Sequence, residues 1–331
     1  MKKTAIYLTF ALALSILVFP FTSSGLGTAS VMITSSGSIT TITPIKLNNA
    51  VIIYGIASLT SAQIPVVANY DMLICDLDFK PATLQSIKAL NPNIEIIGYA
   101  NLFADSSCSY WSTVNANESW FLHTPSGHRI VFKDYPTEYL MDITSGWKQF
   151  SSSYINSQLN GTLFDGVLID NVFDQIAARA GDLMDASTGA SITSSDITPN
   201  SAAVNWHSGV ISFLQYVKGN VVSGKIVVVN TDDYFGNTYL NVVDGEMAEG
   251  WVYATWVPLN YFDTLKSWDS LYPMDYIDAM AAASAAGKIY IAESSTPTGD
   301  TNLIAQTANY CYYAALLGLN GANCYFGFKV G

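Results

Sequence analysis

The stretch Phe164-Asp-Gly-Val-Leu-Ile-Asp170-Asn171 is an apolar run that ends in an acid and an amide. Val, Leu and Ile in succession predict a β-strand. Because side chains alternate between the two faces of a strand, Gly166, Leu168 and Asp170 share one face. If that face lines the inside of a barrel, Asp170 points into the barrel mouth.

Similar apolar runs recur along the chain, and amphipathic stretches separate several of them. Strands joined by helical crossovers imply parallel pairing. Eight such strands in about 280 residues match the size of a (β/α)8 barrel. The predicted fold class is therefore α/β, a (β/α)8 TIM barrel in a single domain. A doubly wound open sheet is the alternative, but the glycine-rich nucleotide loop that usually follows its first strand is missing from this sequence. The predicted strands are Val51–Ala57, Met72–Leu77, Ile94–Ala100, Phe164–Ile169, Lys225–Asn230, Val242–Ala248, Lys288–Ala292 and Asn323–Phe328, and the predicted helices are Pro81–Leu90, Gly146–Leu159, Ala203–Val217 and Leu303–Leu317.

The amino terminus has the layout of a secretory signal peptide, with Lys2 and Lys3 before the apolar run Ile6–Phe19 and small residues after it. The run is short for a membrane span, which needs about 20 residues, so a cleaved signal is favoured over an uncleaved anchor. We expect a secreted or cell-surface protein with no membrane attachment after signal cleavage. The predicted divisions are a signal peptide at 1–29, a Ser/Thr-rich linker at 30–48 and the barrel at 49–331.

The composition excludes several classes of function. Hydrophobic residues make up 50 % of the chain and charged residues 12 %, so wholesale disorder is excluded. Acids outnumber bases, for a net charge of −12. Nucleic acids and anionic membranes both need clustered Lys and Arg, so neither is an expected partner. Only three histidines are present, which argues against a His-rich metal site. We expect no metal and no cofactor.

The chain has four cysteines, which allow two disulfides in three pairings outside the cell. Cys75 with Cys108 is one proposed bridge, because both residues lie toward the carboxyl ends of neighbouring strands. Cys311 with Cys324 is the other, because a final helix should pack beside the last strand. Buried free thiols are the alternative.

Nearly every predicted strand ends in polar or acidic residues. In a (β/α)8 barrel these ends meet on one face, where active sites lie. A single carboxylate at a strand end can also cap a neighbouring helix, but a whole ring is harder to explain in that way. Alternation places Glu249 on one face with Met247, and Glu246 on the other. The polar residues of the predicted ring are Asp76, Asp78, Tyr99, Asn101, Asp170, Asn171, Asn230, Asp232, Glu249 and Glu293.

The chain between the third and fourth predicted strands is long and rich in aromatic residues, including Trp111 and Trp120. This stretch is interpreted as a hairpin excursion over the barrel mouth. Aromatic rings at such a rim often stack on sugars, although core packing is the alternative for each ring. Trp251 and Trp256, just past Glu249, are the best-placed candidates for sugar stacking.

The sequence resembles a family of glycoside-hydrolase-type barrels. The fourth-strand run Phe164–Asn171 carries the resemblance, together with Ile96-Ile-Gly-Tyr-Ala-Asn101 and Gly245-Glu-Met-Ala-Glu249-Gly-Trp251. The match is to the hypothetical glycosyl hydrolase 15 family and, more distantly, to α-galactosaminidase-like barrels. It covers about residues 50–331 and implies the fold more strongly than the activity.

The resemblance also implies a mechanism. Glycosidic cleavage needs an acid for the leaving oxygen and a carboxylate that acts as nucleophile or base. The placement of Asp170 on strand four and Glu249 on strand six is similar to barrel glycosidases with the nucleophile and the acid on those strands. Asp170 is therefore the expected nucleophile or base, and Glu249 the general acid. The residues expected to bind an oligo- or polysaccharide are Asp76, Tyr99, Asn101, Asn171, Asn230, Asp232, Trp251 and Glu293, of which Asp232 and Glu293 are reserves for the second carboxylate.

Two other functions stay open from the sequence. One is a non-catalytic carbohydrate-binding or cell-surface barrel, in which the oxygens of Asp170 and Glu249 would lie much more than ~10 Å apart. The other is an extracellular hydrolase with a metal held by Asp76, Asp78 and Glu293. The sequence has no Gly-x-Ser-x-Gly elbow, P-loop or His-Glu-x-x-His motif.

Overall fold

In the computed structural model, eight parallel strands close into a barrel. The structure describes residues 46–197, 201–231, 239–251, 273–296, 301–321 and 323–330. Each barrel strand pairs with the next along the chain, and the last pairs with the first. The predicted (β/α)8 barrel is therefore confirmed. The barrel strands are β1 (Asn48–Ile53), β2 (Met72–Asp76), β3 (Glu95–Asn101), β4 (Gly166–Val172), β5 (Ile226–Thr231), β6 (Gly245–Glu249), β7 (Ile289–Thr296) and β8 (Cys324–Val330).

Helices connect the strands and cover the barrel. The first long helix begins at Pro81, as predicted, because the fixed φ of proline suits the first turn of a helix. The helix Pro273–Ala285 lies outside the predicted helices, because its many alanines give it no strong stripe of large apolar residues. The long helices are α1 (Pro81–Leu90), α2 (Trp147–Leu159), α3 (Trp206–Asn220), α4 (Pro273–Ala285) and α5 (Thr301–Leu317), and the short α- or 3-10 helices are Ile64–Val67, Trp111–Asn115, Glu118–Trp120, Ile176–Asp182, Ser194–Ile197, Ser201–Val204 and Tyr239–Asn241.

The core has two layers, one inside the barrel and one between the strands and the helices. Leu168 and Met247 belong to the cluster inside the barrel, which confirms that the face shared by Leu168 and Asp170 lines the barrel interior. Glu246 takes the opposite face of β6 and is only 2 % exposed. The buried members of the inner cluster are Ala50, Met72, Ile74, Ile97, Leu168, Val228, Met247, Ile289, Ile291 and Tyr325.

Two glycines allow neighbouring strands to approach closely at the amino end of the barrel. A Cβ on Gly166 would lie 2.4 Å from the carbonyl oxygen of Ile226, and one on Gly245 would lie 2.5 Å from that of Ile289. Both distances are well inside van der Waals contact. The two isoleucines fill the space that the missing side chains leave, so glycine at the start of β4 and β6 is a packing requirement.

A second, four-stranded antiparallel sheet is built mostly from the long connection between β3 and β4. We call it the insertion sheet. Its strands, in spatial order, are Ala104–Asp105, Glu138–Tyr139, Ile130–Phe132 and Leu183–Asp185. Because the chain enters it directly after the carboxyl end of β3, the insertion sheet is attached at the end of the barrel where the polar residues gather.

The proposed disulfides are wrong, since all four cysteines are free thiols. Burial raises the pKa of each of the four thiols. Cys75 points outward from β2 into the layer beneath the helices. Cys311 lies in α5 and Cys324 begins β8, as expected, but Cys108 lies beyond the insertion-sheet strand Ala104–Asp105 rather than at the end of β3. Neighbouring elements do not by themselves determine the direction of a side chain.

The predicted signal peptide and most of the predicted linker lie outside the described residues, and so both stay predictions. The first strand begins at Asn48, one residue before the predicted start of the barrel. Within the described ranges, every helix is too short or too polar to cross a membrane.

Candidate active site

Polar side chains from six consecutive strands face the barrel axis near its carboxyl end, and we call this group the polar belt. The strand register places Asp76 beside Tyr99 and Glu249 beside Glu293. Because the barrel is closed, all six side chains converge on one mouth. The members of the polar belt are Asp76 on β2, Tyr99 on β3, Asp170 on β4, Asn230 on β5, Glu249 on β6 and Glu293 on β7.

Asp170 is held by three hydrogen bonds from uncharged donors. The Tyr99 hydroxyl donates to Oδ2 over 2.6 Å, while the Asn230 side-chain amide and the Asn171 backbone N–H donate to Oδ1 over 2.7 and 2.8 Å. Burial raises the pKa of Asp170, the bond from Tyr99 lowers it, and the nearby carboxylate of Glu249 raises it again. The carboxyl group of Asp170 is therefore fixed in orientation and poorly solvated.

The backbone of β4 is distorted directly after Asp170. Among the described residues other than glycine, Asn171 alone has a positive φ, of 61°, and the β4–β5 register shifts between Ile169 and Val172. Asparagine tolerates this left-handed conformation better than most residues. The distortion aims the Asn171 N–H at Asp170 and lets its side-chain amide donate to Asn101 Oδ1 over 3.1 Å. Such bulges often redirect side chains beside active sites.

The two predicted catalytic carboxylates are close together. One nitrogen, Asn230 Nδ2, donates to Asp170 Oδ1 over 2.7 Å and to Glu249 Oε2 over 3.1 Å. Those two oxygens can therefore be no farther apart than the two bond lengths together, about 6 Å. Retaining glycosidases place their carboxyl groups about 5–5.5 Å apart, and inverting ones about 6.5–9.5 Å. The two oxygens are thus closer together than in inverting glycosidases, and this upper limit is compatible with the separation in retaining ones.

Tyr54 belongs to this mouth, although the sequence did not indicate it. Its ring lies 4.5 Å from the ring of Tyr99, centroid to centroid, and its side chain is 40 % exposed. Burial of its hydroxyl raises the pKa of Tyr54, and the carboxylates of Asp170, Glu293, Glu249 and Asp76 raise it further. The predicted strand continued to Ala57, whereas β1 ends at Ile53, so Tyr54 is the first residue beyond the strand.

The outer members of the polar belt are differently placed. Asp76 accepts a hydrogen bond from the Gly55 N–H over 2.8 Å. Burial raises the pKa of Asp76, the bond from Gly55 lowers it and the nearby Asp78 raises it. Glu293 is 2 % exposed and faces Gly327 on β8, where the missing side chain leaves room for it. Asp76 therefore lies toward solvent and Glu293 is deeply enclosed.

Glu138 is the second residue that the sequence did not indicate. It comes from the insertion sheet. Burial raises the pKa of Glu138 to about 7, and the charge of Asp170 contributes to the rise. A strand of two residues carries no recognisable alternation, so no sequence signal identified this position.

Of the predicted site residues, eight lie at the mouth and two do not belong to the described site. Asp232 lies outside the described residues, as does Trp256. Trp251 is fully buried in the core against Tyr276, and its backbone N–H donates to the Glu293 carbonyl over 2.8 Å. This position does not fit the predicted stacking of Trp251 on a sugar. The eight residues at the mouth are Asp76, Tyr99, Asn101, Asp170, Asn171, Asn230, Glu249 and Glu293.

The alternatives to a site at the mouth are a metal site and a cleft elsewhere on the barrel. In the part of the chain that the structure describes, no group of three or more His, Cys, Asp or Glu side chains is arranged to hold a metal ion. A cleft of about 470 Å3 lies at the opposite end of the barrel, beside Lys88, Asp165 and Lys225. Its charged groups are already bonded, Lys88 Nζ with Asp165 Oδ2 over 2.9 Å and Lys225 with the Phe164 carbonyl. The mouth is therefore the candidate site.

Residues 88–331 match the family model described as hypothetical glycosyl hydrolase family 15. The chain belongs to this family. The matched region begins within α1 and contains β3 to β8. It therefore includes both Asp170 and Glu249. The predicted family resemblance is confirmed.

Two solved structures of similar fold are described by their names as glycosidases. The glycoside hydrolase domain of PelA from Pseudomonas aeruginosa has a TM-score of 0.53 at 12 % identity, over 85 % of this chain and 94 % of that one. Alpha-L-fucosidase isoenzyme 2 from Paenibacillus thiaminolyticus has a TM-score of 0.50 at 10 % identity, over 86 % of this chain and 46 % of that one. These likenesses support the fold, and the α-galactosaminidase-like resemblance only loosely. No curated protein matches the chain.

Proposed function

We propose that the protein is a glycoside hydrolase that cleaves O-glycosidic bonds in an oligo- or polysaccharide with Asp170 and Glu249. The observation that carries the proposal is the short separation of these two carboxylates, both bonded to Asn230. The membership in a glycosyl hydrolase family supports the same reaction class. Because the amino-terminal sequence resembles a secretory signal, we propose that the enzyme acts outside the cell or at its surface.

The short separation favours a double displacement. Less than about 6 Å leaves too little room for a water molecule between Asp170 and the sugar, so Asp170 itself is the nucleophile. An oxygen of Asp170 attacks the anomeric carbon, the bond to the leaving oxygen breaks, and Glu249 gives that oxygen its proton. In the second step Glu249 takes a proton from water, the water oxygen attacks the same carbon, and the Asp170 carboxylate is released. The anomeric configuration is retained.

The neutral donors around Asp170 suit the nucleophile role. Tyr99, Asn230 and the Asn171 N–H hold its oxygens in place and leave its negative charge intact. A lysine or arginine in their place would neutralise that charge. Burial removes water that would otherwise stabilise that charge. The carboxylate is thereby oriented for attack and available to stabilise the positive charge that develops on the sugar.

The test is the stereochemistry of cleavage. A panel of aryl glycosides and oligosaccharides identifies a substrate, and proton NMR during the first turnovers reports the anomer released first. We expect retention, and an activated 2-deoxy-2-fluoro analogue of that sugar should label Asp170, as read by peptide mass spectrometry. Release of the inverted anomer would contradict the double displacement, and a label on another carboxylate would contradict the role of Asp170. Binding of glycans without any cleavage would favour the non-catalytic barrel.

A further inference from the structure

Tyr54 lies over the mouth of the barrel. Ala50 and Ile52 pack in the barrel interior, whereas Ile53 packs in the layer beneath the helices. Because side chains alternate along an extended chain, Tyr54 continues the inward-facing row one residue beyond the end of β1. Its ring contacts that of Tyr99 on β3, two strands away around the barrel. The ring of Tyr54 therefore crosses β2 at the level of the polar belt.

The backbone directly after Tyr54 is fixed at the same place. Gly55 has a φ of 72°, a value that glycine adopts far more readily than other residues. Its N–H donates to Asp76 Oδ2 over 2.8 Å, and Asp76 is the register neighbour of Tyr99. The turn after β1 is thus bonded to the strand that the ring crosses, which restricts where the Tyr54 ring can lie.

Tyr54 is close to the proposed nucleophile. Its ring centroid lies 4.5 Å from that of Tyr99, and the Tyr99 hydroxyl donates to Asp170 Oδ2 over 2.6 Å. One tyrosine side chain therefore separates the Tyr54 ring from the carboxylate of Asp170. Burial raises the pKa of Tyr54, and Asp170 and three other carboxylates of the polar belt raise it further, in agreement with this position.

Tyr54 offers an apolar surface beside groups that are otherwise polar. It is 40 % exposed, so the contact with Tyr99 covers only part of the residue. The ring of a pyranose has an apolar C–H face and hydroxyl groups along its edge, and an aromatic ring suits the first of these. The carboxylates and amides of the polar belt suit the hydroxyl groups. The mouth thus matches both surfaces of a sugar.

We propose that Tyr54 is a substrate-binding residue on whose ring the sugar attacked by Asp170 stacks, and that this sugar is a pyranose without a negative charge. The inference deepens the proposed function and rests on it. The polar belt contains four carboxyl groups, those of Asp76, Asp170, Glu249 and Glu293. Their negative charge disfavours a sugar that carries a carboxylate of its own, because like charges in a binding site weaken binding.

The binding test uses methyl pyranosides of glucose, galactose and their N-acetylamino forms, with the matching glucuronide and galacturonide, in NMR titrations. We expect at least one neutral pyranoside to bind the wild type, and Tyr54→Ala to weaken that binding at least about 10-fold. Tyr54→Phe keeps the ring and should bind within about threefold of the wild type. The uronide of the same sugar should bind more weakly than its neutral counterpart.

The matched control is Tyr313→Ala. Tyr313 lies in α5 on the outside of the barrel, is 63 % exposed, and has its ring centroid 6.1 Å from that of another tyrosine, Tyr312. This variant should bind like the wild type. The inference would be overturned by wild-type binding in Tyr54→Ala, by an equal loss in Tyr54→Phe or in the control, by a uronide that binds as well as its neutral counterpart, or by a wild type that binds none of the pyranosides.

Kinetics separate this inference from the proposed function. With a glycoside that is cleaved, Tyr54→Ala should raise KM about 10-fold and leave kcat within about fivefold, because a stacking surface binds the sugar before and during the reaction. A lower kcat with an unchanged KM would mean that Tyr54 only supports Tyr99, which contradicts the inference. If pyranosides bind through Tyr54 but no glycoside is cleaved, the proposed function fails and the binding role of Tyr54 stands.

Discussion

The two ends of the barrel treat their carboxylates in opposite ways. At the amino end, Asp71, Asp165 and Asp244 directly precede β2, β4 and β6. Each accepts a hydrogen bond from a backbone N–H of the preceding strand, and each forms an ion pair with a lysine. The lysine partners are Lys46, Lys88 and Lys218 respectively. This repeated arrangement ties neighbouring strands together where the barrel closes.

At the carboxyl end, the donors that the structure shows to Asp170 and Asp76 are uncharged. Burial and like charges raise the pKa of both groups. Paired carboxylates with charged donors stabilise a fold, whereas buried carboxylates with neutral donors cost stability and keep their reactivity. The carboxylates at the amino end therefore stabilise the fold, and those at the mouth are suited to catalysis. The same distribution is general in (β/α)8 barrels.

The largest expected effect is on activity. Asp170→Asn and Glu249→Gln should each lower kcat by at least about 1,000-fold, a barrier increase of about 4 kcal/mol, while circular dichroism shows an intact fold. The matched control is Asp165→Asn, which removes the same charge from the other end of the same strand. It should leave kcat within tenfold. If Asp165→Asn were inactive and Asp170→Asn active, the assignment of catalysis to the carboxyl end of the barrel would be contradicted.

The second expected effect is on stability, where substitutions at the amino end should have a larger effect than substitutions at the mouth. Asp244→Asn removes the ion pair with Lys218 and weakens the bond from the Val227 N–H, so urea unfolding should show a loss of about 1–3 kcal/mol. Asp170→Asn should be neutral or stabilising, as is common when a strained active site is relaxed. A loss in Asp170→Asn as large as that in Asp244→Asn would show that the mouth also serves stability.

The third expected effect is the pH dependence of stability. Burial raises the pKa of Asp170 in the folded protein, whereas the unfolded chain titrates at about 3.9. As the pH rises above about 4, the unfolded state loses its proton first, so the wild type loses stability until the folded pKa is passed, by about 1.4 kcal/mol for each unit of the shift. Asp170→Asn carries no such proton. The difference in unfolding free energy between the two should therefore widen with pH, and parallel curves from pH 4 to 8 would contradict the raised pKa.

The smallest expected effect concerns the exposed ion pair at the amino end. The side chain of Lys46 is 66 % exposed and lies 2.6 Å from Asp71. Lys46→Gln should cost less than about 1 kcal/mol, because solvent screens such pairs, and the loss should disappear in 1 M salt. The bond from the Asn49 N–H to Asp71 remains in this variant. A loss of unfolding free energy equal to that of Asp244→Asn would mean that solvent exposure does not determine how much each of the three ion pairs stabilises the fold.

The sequence by itself determined the strands and the direction of their side chains. Six of the predicted strands agree with the barrel strands to within three residues at each end. β7 continues four residues beyond its predicted end, and β1 is displaced toward the amino terminus. Alternation along a strand is a local property, so it placed Asp170, Asn230, Glu249 and Glu293 inside the barrel once the strands were recognised. Parallel pairing then required their carboxyl ends to meet at one mouth.

Only the tertiary structure decided which groups touch. Glu138 is carried on the insertion sheet, and Tyr54, which follows β1, packs its ring against Tyr99 on β3, two strands away. Neither placement leaves a periodic signal in the chain. Trp251 is buried in the core, and the four cysteines are free thiols. Both outcomes depend on long-range packing, which determines the direction of a side chain. The separation of Asp170 and Glu249 likewise depends on barrel closure and on Asn230 between them. Local alternation can choose the face of a strand, but distances across a barrel exist only once all eight strands have closed.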